Sequence, residues 1–450
     1  MKYFFETYGC QMNFAESAAL HLAARERNWQ EAANADEADL VLLNTCSVRK
    51  TAEQRVFGRL AHYSAVKKKR GTPLTLVAAG CMAERLGESL REKFPAVDYV
   101  MGTSARPRFP LILEAAEKGN TGLSPVLLAF IEEADEKPQF VFSANHHDES
   151  SPYRSFVPIM HGCNNFCSFC IVPYVRGREV SRNPDEILQE IRLVGEKGVR
   201  EITLLGQNVN SYRWEAGGLD FPGLLELIAR NLESTGVKWL RFLSSHPKDF
   251  STETIRVLAE NPCFCRHIHL CVQHGSDKIL AAMNRYYNRQ QYLDLAARLR
   301  EALPGLSLST DILVGFPGET EEDFEEVLTL MEEVRFSYSY MYHFNPREGT
   351  AAYDLPGRIS EDVKKKRLQK VIALQEKHTR EILKSRIGEE ALVLIEGISR
   401  KNADELIGRT ERDERVVVPG SAEMLGRFVK LKLSSLRGNT FRGAAPEIWS

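Results

Sequence analysis

The sequence predicts an α/β protein built from an N-terminal parallel α/β sheet domain, a central open (β/α)6 barrel and a small antiparallel β-barrel at the C-terminus. Strand-like apolar runs alternate with helix-like stretches in the first quarter of the chain and again through its middle. The last part of the chain contains short β runs broken by glycine and polar residues. A length of 450 residues also exceeds one ordinary core and suggests about three domains.

In the N-terminal part, each predicted strand ends close to a cysteine. The strands KYFFETYG, ADLVLLNT and PLTLVAAG are separated by predicted helices over residues 15–25 and 51–66. Cys10, Cys46 and Cys81 follow these strands at intervals of about one βα repeat. Right-handed crossovers make such strands parallel, and open α/β sheets bind ligands at the carboxyl edge of the strands. We therefore expect the three thiols to meet at one site.

The alternation resumes after a polar segment. The stretch SANHHDESSPYRS has no periodicity, and we predict a linker over residues 118–148. Six candidate strands follow: SFVPIMHG, REITLLGQN, KWLRFLSS, HIHLCVQ, LSLSTDILVGF and FSYSYMYHF. Six strands with helices between them suggest an open (β/α) barrel with its site at the strand carboxyl ends. The predicted domains are residues 1–117, 149–380 and 383–446, and a long basic helix from residue 361 to about 386 ends the second.

The C-terminal segment contains the β runs EALVLIEGIS, ELIGRT, RVVVPG and RFVKLKLSSL, which predict a small barrel. Residues 427–442 carry five basic side chains and no acidic one, with Phe428 and Phe441 between them. Cations for phosphates and aromatic rings for stacking are what an RNA surface needs. The same alternation also fits an ordinary solvated β face.

Net charge, the length of apolar runs and the number of cysteines limit the classes of protein to which this chain can belong. The formal net charge is -2, so any nucleic acid must be held by local basic patches. The N-terminus lacks the apolar core of a signal peptide, and no apolar run reaches the ~18 residues of a membrane span, so we expect a cytoplasmic protein with no membrane partner. Nine cysteines are too few and too unevenly spaced for a disulfide framework, which favours metal ligation.

The segment HGCNNFCSFC directly follows the first predicted barrel strand, so Cys163, Cys167 and Cys170 lie in a loop at the barrel mouth. Thiolates suit iron–sulfur clusters or zinc. A structural zinc site closes with four ligands, usually as two separated pairs, and only His161 is a local fourth. We therefore favour a [4Fe-4S] cluster with one open iron over a closed zinc site or buried thiols.

The pattern C-x3-C-x-aromatic-C, with Phe169 as the aromatic, resembles the signature of radical S-adenosylmethionine (SAM) enzymes. The resemblance implies that the open iron binds SAM, whose reductive cleavage yields a 5′-deoxyadenosyl radical. A second three-cysteine site ahead of a radical domain is similar to the methylthiotransferases, and the similarity runs from YGCQMN to the C-terminal barrel. Members of that family have an N-terminal domain with a second [4Fe-4S] cluster, a radical SAM core and a TRAM domain that holds RNA.

Several motifs resemble the MiaB-type tRNA enzymes within this family: YGCQMN (8–13), NTCSVR (44–49), LLGQNVNSY (204–212), SSHP (244–247), VGFPGETEEDF (314–324) and REGTAA (347–352). The resemblance implies a substrate, the N6-isopentenyladenosine next to the anticodon of tRNA, which receives a methylthio group at carbon 2. One SAM would methylate a cluster-bound sulfur and a second would supply the radical. An external, flavodoxin-like electron donor and a sulfur donor are also implied.

The resemblance assigns the radical cluster to Cys163, Cys167 and Cys170, and the sulfur-delivering cluster to Cys10, Cys46 and Cys81. Further predicted cofactor contacts are the signature aromatic and residues at the strand carboxyl ends, namely Phe169, Gln207, Asn208, Ser244 and Gln273. The turn GFPGET resembles a phosphate loop but lacks its lysine, and Thr320 with Asp323 predicts a helix capping box.

Two positions depart from the family pattern, which usually reads LPVQSGSD where this chain has LCVQHGSD. Cys271 and His274 are the changes, and they put local contacts near the cofactor pocket in question but not the cluster ligands. The remaining cysteines lack a complete partner set, so Cys263, Cys265 and Cys271 are expected to be packed or spare thiols. His267 and His269 are likewise expected to be ordinary core histidines.

Two basic residues just past the cluster loop, Arg176 and Arg178, are expected to meet an RNA phosphate. Two other functions stay open. The chain could be a methylthiotransferase that acts on threonylcarbamoyl-adenosine in tRNA or on a ribosomal protein. It could also be a non-enzymatic zinc protein that binds RNA, in which both cysteine triads are structural.

Overall fold

The structure is a computed structural model that describes residues 1–47, 50–119 and 152–449. The chain forms two compact units. The first comprises Met1–His146, Met160–Asn164 and Ile171–Arg182, and the second comprises His147–Ile159, Asn165–Cys170 and Asn183–Ser450. The predicted linker, apart from its start, lies outside the described residues.

The strands in chain order are β1 (Lys2–Thr7), β2 (Gln30–Glu31), β3 (Leu40–Thr45), β4 (Thr75–Gly80), β5 (Tyr99–Met101), β6 (Arg154–Pro158), β7 (Met160–His161), β8 (Val180–Ser181), β9 (Glu201–Leu205), β10 (Arg213–Trp214), β11 (Leu219–Asp220), β12 (Trp239–Phe242), β13 (His267–His269), β14 (Ser307–Val314), β15 (Tyr338–His343), β16 (Glu390–Ile398), β17 (Glu405–Thr410), β18 (Arg415–Pro419), β19 (Phe428–Arg437) and β20 (Thr440–Trp449). The helices among the described residues are α1 (Gln11–Glu26), α2 (Lys50–Lys69), α3 (Cys81–Leu86), α4 (Glu88–Lys93), α5 (Phe109–Glu117), α6 (Val172–Arg176), α7 (Pro184–Glu196), α8 (Phe221–Asn231), α9 (Thr252–Glu260), α10 (Asp277–Ala282), α11 (Arg289–Ala302), α12 (Glu321–Val334) and α13 (Glu361–Ser385).

The first unit contains a five-stranded parallel sheet in the order β2-β1-β3-β4-β5, as the βα alternation predicts. Every residue of β3 and β4 is buried, because helices cover both faces of the sheet. Successive residues of β3 alternate between two apolar cores, so Leu40 and Leu42 pack on one face while Val41 and Leu43 pack on the other.

The second unit contains the six barrel strands that the sequence predicts. Strands β12, β9 and β6 form one parallel sheet, and β13, β14 and β15 form another. The isolated parallel bridges Leu240–Phe264 and Ser245–Leu270 continue the pairing from β12 to β13. The result is an open, six-stranded parallel arrangement with its carboxyl ends on one side, so this part of the fold prediction is confirmed.

The C-terminal strands form a closed barrel in the order β16-β17-β18-β20-β19. Four of its neighbouring pairs are antiparallel, and the β18–β20 pair is parallel. A closed ring of five strands cannot alternate direction all the way round, so one parallel pair is unavoidable. The predicted small β-barrel is confirmed, although the sequence interpretation missed β20.

A buried ion pair and backbone hydrogen bonds attach this barrel to the α/β barrel within the second unit, and the ion pair joins Arg154 in β6 to Glu396 in β16 at 3.6 Å. Glu201 in β9 pairs with Arg154 at 2.9 Å and with Arg241 at 3.0 Å. The Arg241 guanidinium also donates to the backbone oxygens of Thr410 and Glu411, both at 2.8 Å. The C-terminal barrel is therefore held by directional contacts to the α/β barrel. Across the described ranges, no helix combines the length and apolar character needed to cross a membrane.

Candidate active site

The three N-terminal cysteines lie where parallel strands end. Cys10 follows β1 and precedes α1, Cys46 follows β3, and Cys81 begins α3 directly after β4. Cys10 is exposed, whereas Cys46 and Cys81 are buried. All nine cysteines lie in the described residues and are free thiols there.

A glycine allows the segments that carry Cys10 and Cys46 to approach each other. Gly9 has φ of +139°, and a Cβ placed there would overlap the Cβ of Cys46 and lie 3.2 Å from its Sγ. A hydrogen bond with Cys46 lowers the pKa of Cys10 to about 6, and the charge of Arg176 acts in the same direction. Burial raises the pKa of the Cys81 thiol. The structure thus brings the predicted triad to one sheet edge, with unequal thiol acidities.

A buried charge cluster lies beside these thiols. The Arg176 guanidinium donates to both carboxylate oxygens of Glu16, at 2.6 and 3.2 Å, and its Nε donates to Cys81 Sγ at 3.1 Å. Arg106 also pairs with Glu16, at 2.5 Å. Burial raises the pKa of Glu16, but Arg106 and Arg176 outweigh that effect and bring it to about 2. Two guanidinium groups therefore share one carboxylate and leave an excess positive charge next to the thiols.

The buried charge cluster shows that the expected contact between Arg176 and an RNA phosphate is wrong. The Arg176 side chain is buried against Glu16 and Cys81, so it is not part of a surface for RNA phosphates, while Arg178 is exposed. His161, the local residue that could have completed a zinc site, accepts hydrogen bonds at Nε2 from Arg106 and Arg176. Burial and the two arginines hold the pKa of His161 well below its usual range. Sequence reasoning missed Glu16, although an acid within the apolar face of predicted helix 15–25 was a usable signal.

The second cysteine triad occupies the loop that follows β6 and β7. Cys163 and Cys167 are buried and Cys170 is half-buried. In the first unit, the Cys163 amide donates to Gly177 O at 3.1 Å. In the second unit, the Cys170 amide donates to Cys167 O at 2.9 Å, and Ser168 N donates to Met283 O at 3.0 Å. Backbone hydrogen bonds thus hold the loop at several points.

The predicted signature aromatic, Phe169, packs against an apolar cluster that includes Met283, Phe316 and Phe344. This packing anchors the cluster loop on the α/β barrel. Asn284 continues the anchoring, since its side chain donates to the backbone oxygens of residues 165 and 166 at 3.2 and 3.1 Å.

Sequence reasoning also missed a buried arginine next to the second triad. Arg285 Nη1 donates to Cys167 Sγ at 3.2 Å, and Nη2 donates to Cys271 O at 2.7 Å. Its Nε donates to the Tyr287 hydroxyl at 3.1 Å. No local sequence pattern marks this residue, because Cys167 lies 118 positions and Cys271 14 positions away along the chain.

The four predicted strand-end residues all lie at the carboxyl ends of β9, β12 and β13. Ser244 and Gln273 have φ of +66° and +71°, a conformation that costs free energy for residues other than glycine and is concentrated at functional sites. Asn208 donates to Asp249 at 2.7 Å, while its buried Oδ1 has no hydrogen-bond partner among the described residues. Gln207 is half-buried beside it.

Two neighbouring residues carry further unpaired polar atoms at this edge. Within the part of the chain that the structure describes, Ser245 Oγ and His246 Nε2 are buried without a hydrogen-bond partner. The Lys248 amide donates to His246 Nδ1 at 3.3 Å, so the proton of the neutral ring lies on Nε2. Burial and the charges of Arg285 and Lys248 lower the pKa of His246 to about 2, which keeps the ring neutral. An unpaired acceptor on Asn208 and an unpaired donor on His246 suit a polar ligand.

His274, which departs from the family pattern, forms a hydrogen bond with the GFPGET turn (residues 315–320). The Ser276 amide donates to His274 Nδ1 at 3.0 Å, so Nε2 carries the proton of the neutral ring and donates to Glu319 at 3.3 Å. Thr320 and Asp323 form the predicted capping box at the start of α12.

The basic face of the C-terminal barrel differs from the sequence expectation in one respect. Lys430 and Lys432 project from β19 into solvent, but Phe428 and Phe441 are buried and are not available for base stacking. Phe428 packs edge-on against Trp239, at 4.8 Å between ring centroids. The exposed face therefore offers cations without those two rings.

Three family descriptions match this chain. Residues 157–331 match the radical SAM superfamily, residues 2–102 match the uncharacterized protein family UPF0004, and residues 384–445 match the TRAM domain. Among solved structures, the radical S-adenosylmethionine methyltransferase TsrM from Kitasatospora setae has a TM-score of 0.58 at 15% identity, covering 76% of this chain and 72% of that chain. That likeness shows the shared fold.

Curated relatives match over nearly the whole chain. A Treponema pallidum protein named tRNA-2-methylthio-N(6)-dimethylallyladenosine synthase is 50% identical and covers 98% of each chain. Proteins with the same name from Treponema denticola and Porphyromonas gingivalis are 48% and 42% identical, covering 98% and 99% of this chain and 99% and 95% of their own. The chain belongs to the family of radical SAM tRNA methylthiotransferases that includes these synthases.

Proposed function

We propose that this chain adds a methylthio group to carbon 2 of N6-isopentenyladenosine next to the anticodon of tRNA. The observation that carries the proposal is the convergence of Cys10, Cys46 and Cys81 at one sheet edge beside the buried Arg176, in a chain that also has the radical SAM cysteine loop. A radical SAM core alone would fit many reactions. A second thiol triad on a separate sheet adds a site from which sulfur can be delivered.

Membership of the radical SAM superfamily implies SAM and a [4Fe-4S] cluster. We assign this cluster to Cys163, Cys167 and Cys170. The hydrogen bond from Arg285 to Cys167 supports the assignment, since a buried cation stabilises a thiolate more than a neutral thiol. When bound, the cluster and SAM supply the one-electron cleavage that activates an unreactive carbon–hydrogen bond.

We assign a second [4Fe-4S] cluster to Cys10, Cys46 and Cys81. The donor set is suitable because thiolates are the usual ligands of such clusters. The excess positive charge of Arg106 and Arg176 over Glu16 supports an anionic group at this place, because an unbalanced buried cation is costly. Arg176 thus holds Cys81 by its Nε while its other nitrogens are fixed by Glu16.

The residues at the ends of β9, β12 and β13 are proposed to position SAM. Asn208 offers an acceptor and His246 a donor, and both atoms are buried without a partner in the described ranges. Ser244 and Gln273 have a positive φ, a conformation concentrated at functional sites. SAM carries an amino group, a carboxylate and ribose hydroxyls, and so can pair with donors and acceptors together. Phe169 acts through packing of the cluster loop.

For the RNA, we propose that the exposed cations of the C-terminal barrel contact the phosphate backbone. Lys430 and Lys432 alternate with buried Val429 and Leu431, so β19 presents its cations on one face. Phosphate contacts of this kind hold and orient the substrate, while the base is chosen elsewhere. A low-potential electron donor, of the flavodoxin class, and a sulfur donor complete the proposed partners.

The test is mass spectrometry of tRNA nucleosides from cells that lack this gene, complemented with wild-type or variant chains. Wild type is expected to restore 2-methylthio-isopentenyladenosine. Cys46→Ser and Cys167→Ser are expected to leave isopentenyladenosine in its place, whereas Cys263→Ser, a matched change outside both triads, is expected to restore the product. Anaerobically reconstituted protein should hold about eight irons per chain, and Cys46→Ser about four.

Each alternative has its own signature in this experiment. Disappearance of methylthio-threonylcarbamoyl-adenosine, with isopentenyladenosine products unchanged, would replace the proposed substrate while keeping the chemistry. An unchanged tRNA nucleoside profile with loss of a methylthio group from a ribosomal protein would move the substrate to protein. A colourless protein that binds zinc and no iron would contradict the enzymatic proposal altogether.

A further inference from the structure

A third group of metal-binding side chains lies in the α/β barrel, outside both cysteine triads. His269 is the last residue of β13, Cys271 follows two positions later, and Asp311 lies in the adjacent strand β14. One ligand atom from each of these residues lies within 4.8 Å of the others. We propose that His269, Cys271 and Asp311 form a site for a divalent transition metal of the zinc class. This site does not depend on the proposed function.

The spacing of the group is that of an ion pair and also suits metal coordination. His269 Nε2 and Asp311 Oδ2 are 3.5 Å apart. That separation is long for an N–H···O hydrogen bond, which is normally about 2.7–3.2 Å. Two ligand atoms on a tetrahedral zinc with bonds of about 2.0–2.1 Å lie about 3.4 Å apart. The imidazole and the carboxylate are thus already at the distance of two vertices of a zinc tetrahedron.

The histidine is also oriented for this role. Its Nδ1 forms a hydrogen bond of 3.0 Å with Ser309 Oγ, and its ring packs edge-on against Tyr340 at 5.6 Å between centroids. A hydrogen bond on one ring nitrogen is the usual arrangement for a metal-ligating histidine, because it fixes the ring and directs the other nitrogen to the metal. Ser309 lies in β14 beside Asp311, so one strand supplies both a ligand and the residue that orients the histidine.

The charges of the site balance. A Cys271 thiolate and an Asp311 carboxylate together neutralise a divalent cation, and a neutral imidazole completes the set. Arg285 donates to the backbone oxygen of Cys271 rather than to its sulfur, and its Nη1 donates to the Cys167 sulfur. Mixed sulfur, nitrogen and oxygen ligands suit zinc among the common divalent metals. Three protein ligands leave a fourth position open, as in zinc sites that bind water or substrate.

The proposed metal site depends on Cys271, where this chain departs from the family pattern. The resembling family usually has proline here, which offers no ligand atom, so the other two residues alone would give an incomplete set. The expectation that Cys271 is a spare thiol rested on the absence of a sequence-local partner set. The structure supplies the partners from β13 and β14, whose pairing brings His269 opposite Ser309.

The experiment uses the full chain with its iron–sulfur clusters reconstituted under anaerobic conditions. One equivalent of Zn²⁺ is added, unbound metal is removed, and zinc and iron are measured in the same sample. The expected result is about one zinc per chain with undiminished iron. X-ray absorption at the zinc edge is expected to show one sulfur ligand with nitrogen and oxygen ligands. No retained zinc, or a zinc with three sulfur ligands that has entered a cluster triad, would overturn the proposal.

Variants locate the metal. Cys271→Ser and Cys271→Pro are expected to weaken zinc binding at least tenfold in competition with a chelator, with iron content unchanged. Cys263→Ser, at a half-buried thiol outside the group, should bind zinc like wild type. Asp311→Asn provides a second route in case the Cys271 variants lose iron as well. Wild-type zinc affinity in the Cys271 and Asp311 variants would refute the site.

Discussion

Replacing Glu16 by glutamine tests the buried charge cluster of the first unit. Glu16 is 4% exposed and pairs with both Arg106 and Arg176. Glutamine keeps the shape of the side chain and removes its charge. Two buried guanidinium groups then lose the carboxylate that they share, and the hydrogen bonds that remain are weaker.

The magnitude follows from the acidity of Glu16. Its pKa falls from 4.5 to about 2 on folding, because the two arginines outweigh the opposing effect of burial. That difference corresponds to about 3 kcal/mol of interaction with the ionised carboxylate. Breaking a buried ion pair by removing one partner typically costs about 3–5 kcal/mol. Since the folded pKa is the lower one, this stabilisation is fully present above pH 4.5 and is lost as the pH falls towards 2.

Hydrogen–deuterium exchange with mass spectrometry measures the effect where it should occur. Amides of β3 and β4 in the Glu16→Gln protein are expected to exchange about 100-fold faster near neutral pH, and amides of β9 and β14 in the second unit should not change. Glu31→Gln makes the same chemical change in an exposed pair with Arg25, and should alter exchange less than about threefold. If Glu16→Gln behaves like Glu31→Gln, the charge cluster does not stabilise the fold and the reasoning fails.

Three further substitutions probe other parts of the structure. Gly9→Ala forces a Cβ into Cys46 at a positive φ, so it should lower the iron content of the reconstituted protein to about half. Gly71→Ala adds a Cβ in open space and should leave the iron content unchanged. Equal iron in both variants would contradict the close approach of Gly9 to Cys46. Thr320→Ala removes a helix cap and should destabilise the start of α12 by about 1 kcal/mol, seen as faster amide exchange there and refuted by unchanged exchange. Arg241→Met leaves Glu201 with one fewer cation and two backbone oxygens without a donor, so limited proteolysis should release the C-terminal barrel at least tenfold faster. An unchanged cleavage rate would mean that these contacts do not hold the barrel.

The sequence predicted those features that depend on periodicity or on neighbours along the chain. The parallel strands, the convergence of the N-terminal cysteines and the Thr320–Asp323 capping box are of this kind. The role of Arg176 was not predictable, because its partner Glu16 lies 160 positions away and such a pair leaves no periodic signal. From the sequence alone, a basic residue just past the cluster loop of an RNA-binding enzyme is expected to contact RNA phosphate.

The burial of Phe428 is a second feature that the sequence did not predict. Phe428 has the same strand parity as the exposed Lys430 and Lys432, so alternation along β19 places it in solvent. It is buried because the α/β barrel packs against that end of the C-terminal barrel and supplies Trp239. Local patterning gives the face of a strand but not the neighbour that covers it.

The two arginines that sequence reasoning missed or misassigned play equivalent parts in the two units. Arg176 donates to Cys81 and Arg285 to Cys167, each from a buried guanidinium at 3.1 and 3.2 Å respectively. In both places a buried cation lies next to a sulfur whose thiolate form binds metal, although at Cys81 burial has the larger effect and raises the pKa. The protein without its clusters therefore carries buried positive charge beside these two sulfurs. Metal loading and the stability of the fold are therefore coupled in both units. The cysteine sulfurs that bind the metal as thiolates are the same groups whose negative charge balances the buried arginines.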